Sequence, residues 1–219
     1  MLSYFCNKYT KFVELRKPIH TMKEFWNDRY AEKEFVYGTL PNKFLQQSIN
    51  ELPQGKVLFA AEGEGRNAVF AAKKGYVVSA FDISESAKNK AEALAQEQQV
   101  TIDYLVGDVF DLGYPEQSFD GLVLIFAHFP AAERTAIHAH LLSLLKPGGV
   151  IIFEAFSKEQ LNYSSGGPKE AEMLFSLEEI QKNFPGVAFK FIGQSIIHLD
   201  EGPYHQGEGS VIRFVARKN

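Results

Sequence analysis

Gly63 and Gly65 stand between a short apolar run, Lys56 to Ala61, and an alanine-rich segment, Ala68 to Gly75. Strand, glycine turn and helix in that order bring backbone N–H groups and a helix N-terminus up to a ligand. Neither glycine carries a Cβ, so the chain can turn sharply and a ligand can approach the main chain. After the helix, Tyr76 to Phe81 reads as a second strand ending in Asp82, whose carboxylate can accept hydrogen bonds from ribose hydroxyls. This spacing supports nucleoside binding. Proton transfer is the second chemistry in view. His128 follows a fourth apolar run, His205 lies in a turn-rich segment near the C-terminus, and histidine titrates near neutrality. A lone histidine is more often a structural hydrogen-bonding group. His138 and His140, two apart on one expected helix, point to different faces and make no metal pair.

The nucleoside is left open at this level. Gly63-x-Gly65-x-x-Ala68 satisfies the loose dinucleotide fingerprint, and both NAD and S-adenosylmethionine carry a ribose that Asp82 would suit. Composition narrows the partners. The 219 residues, 45% hydrophobic, suffice for one well-cored domain. A formal charge of −4 and a pI near 5.9 give no basic field to attract nucleic acid. Cys6 is the single cysteine, which excludes an internal disulfide or a cysteine metal cluster and fits a reducing, cytoplasmic setting. No apolar run has membrane-spanning length, and residues 1–21 lack a signal-peptide core. Those residues read as an N-terminal extension, with one domain over 22–219.

The elements that must position this chemistry follow from periodicity. Met22 to Gly38 reads as an amphipathic aromatic helix that docks on the core or lids a cofactor edge. A helix is expected after Pro41, a second capped by Ser84, a third strand over Val100–Val106, and a fourth over Ser118–Phe126. A helix over Ala131–Leu145 precedes a fifth strand at Val150–Glu154. Ser176 and Glu179 form a capping box. The last two apolar stretches, Val187–Leu199 and Ser210–Ala216, have no helix between them and should pair as an antiparallel hairpin. Alternating strands and helices imply an α/β fold with a mostly parallel sheet covered on both faces.

Several motifs in order carry a resemblance: the turn Glu62–Asn67, Asp82, Gly107-Asp108-Val109, and Leu145-Lys146-Pro147-Gly148-Gly149. With them the chain resembles class I S-adenosylmethionine-dependent methyltransferases, which implies a seven-stranded Rossmann-like sheet with a reversed C-terminal strand. Phe25-Trp26-Asn27-Asp28-Arg29-Tyr30, Val36-Tyr37-Gly38 and Asp200-Glu201-Gly202-Pro203-Tyr204-His205-Gln206-Gly207 resemble bacterial methyltransferases related to tellurite-resistance proteins. The family's pattern places an acid inside the first strand where this chain has Phe59, and a glycine where it has Ala61.

The resemblance implies S-adenosylmethionine as cofactor and distributes its contacts. The backbone of Ala61, Gly63 and Gly65 goes to the methionyl part, and Glu62 either meets its ammonium or serves only the turn. Asp82 goes to the ribose, Ile83 to the adenine face, Asp108 to the exocyclic amine, Val109 to a ring nitrogen, and Phe126 sits near the sulfonium. Trp26 and Tyr37 complete the set. His128 and His205 are the candidate bases, no metal is called for, and the acceptor is a small molecule, a thiol or chalcogen oxyanion such as tellurite among the options. Arg66 is expected to contact a cofactor carboxylate or an acidic substrate, or to project into water. A catalytically silent cofactor-binding module and a nicotinamide-dependent oxidoreductase stand as alternatives, and the oligomeric state is not legible.

Overall fold

The computed structural model describes residues 22–219. The extension expected at 1–21 lies outside the described residues.

Helix α1 (Met22–Tyr30) opens the described chain. It is shorter than the aromatic stretch suggested, because the N–H groups of Val36 and Tyr37 are taken by the Glu64 carboxylate and Gly38 turns at φ +71°. The Asn42 side chain caps α2 (Lys43–Ser48) by accepting from the Leu45 N–H, and a 3₁₀ turn over Ile49–Glu51 follows. Strand β1 (Lys56–Ala60), α3 (Arg66–Lys73), β2 (Val77–Asp82) and α4 (Glu85–Glu97) come next, α4 capped by Ser84 as expected. Strand β3 is only Asp103–Val106, since the Val100 N–H turns back to Ala95 O and closes α4.

The second half contains β4 (Phe119–Ile125), α5 (Ala131–Leu144) and β5 (Leu145–Phe156). Strand β5 begins earlier than its apolar run, with a register irregularity opposite Phe119 and Gly121. Helix α6 (Leu177–Asn183) carries the full Ser176–Glu179 capping box. Strands β6 (Val187–Asp200) and β7 (Gln206–Lys218) form the antiparallel hairpin.

The sheet has seven strands in the order β3-β2-β1-β4-β5-β7-β6. Strands β1 to β5 run parallel and β7 runs antiparallel to β5. Alternate residues of each strand serve opposite faces. Leu58, Leu122, Ile151 and Phe214 pack with Ile137, Leu141 and Phe184, whereas Val57, Phe59, Val123 and Ile152 pack with Leu45, Ala68 and Ala91. Chain direction across the sheet reverses between β1 and β4, so their carboxyl ends diverge and leave a crevice. Among the described residues, no helix is long and apolar enough to cross a membrane.

Candidate active site

Both strands that border the crevice end in a residue with left-handed backbone: Ala61 after β1 at φ +49° and Phe126 after β4 at φ +52°. Such a conformation costs a non-glycine residue about 1–3 kcal/mol and persists only where surrounding contacts enforce it. Here the Phe126 N–H donates to Glu154 O at 2.7 Å, and the neighbouring Glu62 N–H donates to Phe81 O at 3.0 Å. Ala61 thus takes a left-handed conformation, which glycine adopts without strain, where the resemblance places a glycine.

Both loop glycines are needed sterically. A Cβ on Gly63 would lie 2.7 Å from Tyr30 Oη, and one on Gly65 would lie 2.6 Å from Ala91 Cβ. Glu62 Oε1 accepts the N–H groups of Asn67 and Ala68 at 2.9 and 2.7 Å, which satisfies free donors at the α3 N-terminus and leaves Oε2 for another donor. Burial pushes Glu62 up to about 7 despite those bonds. Asp82 accepts from Gly63 N and Ser84 N, both at 3.0 Å, tying the glycine turn to the end of β2. Burial pushes it up to about 6.

Two cavities meet at this crevice. The smaller, about 240 Å³, is lined by Asp82, Ile83, Asp108, Val109, Phe126 and Trp26, among others. The larger, about 930 Å³, is lined by Glu62, Tyr37, Phe126, His128 and His205, again with Trp26. Ala61, Phe126, Trp26 and His128 face both. Trp26 stacks on Tyr30 with ring centroids 5.4 Å apart. The residues assigned from sequence therefore converge, except that Gly63 and Gly65 act beneath the walls. Asp108 is exposed, and its carboxylate also accepts from Phe110 N at 3.0 Å.

His128 and His205 come together around Phe156. The first ring stacks parallel to it at 6.1 Å and the second meets it edge-on at 5.3 Å. Burial depresses both imidazoles, His128 to about 3, so both are neutral at pH 7. His138 is buried against Phe184 and His140 lies against Phe110, on separate faces of α5.

Arg66 borders the larger cavity but is turned to a protein carboxylate and not to solvent. It is buried and paired with Glu201 at 2.8 Å, and also donates to Tyr37 O. Sequence reading missed the rest of this network. Asn42 Nδ2 bridges Glu154 Oε1 at 2.6 Å and Glu201 Oε1 at 3.0 Å, and Arg213 pairs with Glu154. Glu64, held by Lys90 at 2.7 Å, ties the glycine turn to the segment carrying Tyr37. Polar residues bordering apolar runs, Asn42, Glu154 and Arg213, were the available signal. Glu154 supports the site from beneath, and Tyr204 faces outward to donate to Glu32.

The strand order, the reversed hairpin and a cleft at the β1–β4 switch together define the class I S-adenosylmethionine-dependent methyltransferase fold. Comparison with known proteins agrees. Residues 57–149 match a family model described as "Methyltransferase domain". A ubiquinone biosynthesis O-methyltransferase of Coxiella burnetii is 28% identical over 148 residues, covering 66% of this chain. This chain spans about three fifths of that curated relative, 62% of its length. A solved structure concerning conversion of a disulfide bond into a thioacetal group during echinomycin biosynthesis aligns with a TM-score of 0.75 at 20% identity, covering 90% of this chain and 92% of that one. TehB from Haemophilus influenzae aligns with a TM-score of 0.65 at 15% identity, covering 90% and 67%, a likeness of fold alone. The solved structures agree in fold, and the family model places a methyltransferase domain over residues 57–149.

Proposed function

We propose that the protein transfers a methyl group from S-adenosylmethionine to a small-molecule acceptor held in the larger cavity. The observation that carries this reading is the meeting of the two cavities at Ala61, Phe126 and His128. The residues present fit the cofactor. Asp82 is a buried carboxylate on the smaller cavity, with lone pairs beyond those its backbone partners use. Bound there, S-adenosylmethionine supplies an electrophilic methyl for in-line displacement.

In this reading Asp82 holds the ribose, Ile83 and Val109 flank the adenine, and Asp108 takes its amine. Glu62 Oε2 receives the methionine ammonium, with the backbone of Ala61, Gly63 and Gly65 around the same end. Trp26 and Tyr37 wall off water, and Phe126 stands where the compartments join. Holding a nucleophile in line is worth roughly 7–11 kcal/mol, so positioning is the main contribution asked of this chain. Residues 22–219 act as one domain in this reading.

An acceptor that arrives uncharged and protonated, a hydroxyl or thiol, suits a cavity on which a neutral histidine can take its proton. Of the cations on that cavity, Arg66 is engaged by Glu201, Arg29 bonds Tyr37 Oη and lies over Phe25 and Tyr204, and Lys169 stands at the exposed rim. The name of the Coxiella burnetii relative agrees with a hydroxyl acceptor.

Calorimetric titration with S-adenosylhomocysteine, beside Asp82→Asn and an NADH control, tests the cofactor. Micromolar binding, weakened about tenfold or more by the substitution, is expected, since a hydrogen bond to a charged group contributes about 1.5–3 kcal/mol. NADH binding without S-adenosylhomocysteine binding overturns the reading.

A further inference from the structure

Two histidines share the acceptor cavity, and their surroundings divide the work between them. His205 is wedged between aromatic rings, with centroids 4.6 Å from Tyr37 and 4.7 Å from Phe126. Gly166 closes a further side so tightly that a Cβ there would lie 2.7 Å from His205 Cδ2. Its Nδ1 stands 3.6 Å from Glu201 Oε2, just beyond hydrogen-bond length. Catalytic hydrogen bonds are often long in an unliganded site and tighten as charge develops.

The Glu201 carboxylate is itself immobilised. Arg66 donates to Oε2 at 2.8 Å and Asn42 to Oε1 at 3.0 Å. Asn42 is fixed in turn by Glu154 and by its backbone bond to Asn67 Oδ1 at 2.9 Å. His128 meets the Met173 backbone and not a carboxylate. Its Nδ1, like that of His205, is buried without a hydrogen bond among the described residues, but no carboxylate stands beside it as Glu201 stands beside His205.

Resting on the methyltransferase reading above, we propose that Glu201 is the positioning residue for a His205 general base. His205 takes the proton of a hydroxyl acceptor as its oxygen forms the bond to the methyl carbon and the carbon–sulfur bond breaks. Glu201 orients the ring and stabilises the imidazolium so formed. His128 contacts the acceptor without taking the proton. The charged and titratable groups around His205 are Glu201 on its own turn, Arg66, Arg29, Tyr37 and His128. Glu201 is the anion among them that favours the protonated ring, and Arg66 and Arg29 oppose it.

The test follows the histidine ring signals by NMR across pH in protein saturated with S-adenosylhomocysteine, with His205→Gln assigning the resonance. Glu201→Gln is expected to lower the His205 midpoint by about one pH unit, because an opposite charge at this range shifts a titration by roughly 1–3 units. Glu201→Asp keeps the charge, is expected to stay nearer wild type, and serves if the amide variant does not fold. With catechol as acceptor, Glu201→Gln should lower kcat about tenfold and leave the KM for S-adenosylmethionine unchanged, as expected for a misoriented base. An unchanged His205 midpoint overturns the proposal, as does equal loss of kcat with a preformed thiolate acceptor. Failure of S-adenosylhomocysteine binding would strike the methyltransferase reading instead, and the His205 titration can still be followed without ligand.

Discussion

Replacing Arg66 by methionine removes one partner of a buried ion pair while keeping most of the side-chain volume. Arg66 and Glu201 are both buried and meet at 2.8 Å. Burial alone would push the Glu201 carboxyl up, but His205 and Arg66 hold it at about 2. Without Arg66 the carboxylate keeps only Asn42 and a neutral imidazole. Removing one partner of a buried pair costs about 3–5 kcal/mol, and the remaining Asn42 bond places this case near the low end. For a chain of this length each kcal/mol moves Tm by about 2–4 °C, so a fall of roughly 10 °C is expected.

The pH dependence sharpens this prediction. In the wild type the depressed Glu201 carboxyl contributes stability above its unfolded value near 4.5, lost as pH falls through about 2. In Arg66→Met, desolvation raises the same carboxyl above that unfolded value. Its penalty is then present at neutral pH and relieved once it protonates. The gap between the two proteins should therefore narrow from pH 7 to pH 4, measured by urea unfolding at each pH. A gap under about 1 kcal/mol at pH 7 would refute the reasoning, because it falls below the low end for a broken buried pair. A gap that does not change with pH would refute it equally.

Two further predictions concern the cofactor end. Glu62 rises to about 7 on burial, so the unliganded protein loses stability as pH climbs from the unfolded value near 4.5 through 7, where Glu62 ionises. A bound ammonium favours the ionised form, so calorimetric affinity for S-adenosylhomocysteine should rise about tenfold between pH 6 and 8 in wild type and stay flat in Glu62→Gln. Gly65→Ala brings a Cβ within 2.6 Å of Ala91 Cβ at φ +87°. It should cost about 1–3 kcal/mol by thermal unfolding, since strain and overpacking both apply.

Much of this protein was legible from local pattern. Continuous apolar runs marked the central strands because the sheet buries both their faces, and caps such as Ser84 and Ser176 are satisfied within a few residues of themselves. The glycine turn and Asp82 were readable because the backbone conformations and strand ends they need leave a local trace. The helix boundary at Tyr30 was not readable, because Glu64, far along the chain, takes the N–H groups of Val36 and Tyr37. The network under His205 was hidden for the same reason. It joins Asn42, Arg66, Glu154, Glu201 and Arg213, drawn from α3, two strands and two connecting turns. A buried carboxylate and a solvated one look alike in sequence. Only the packed fold excludes the water that would otherwise separate these charges, and that exclusion turns distant polar residues into one support for the site.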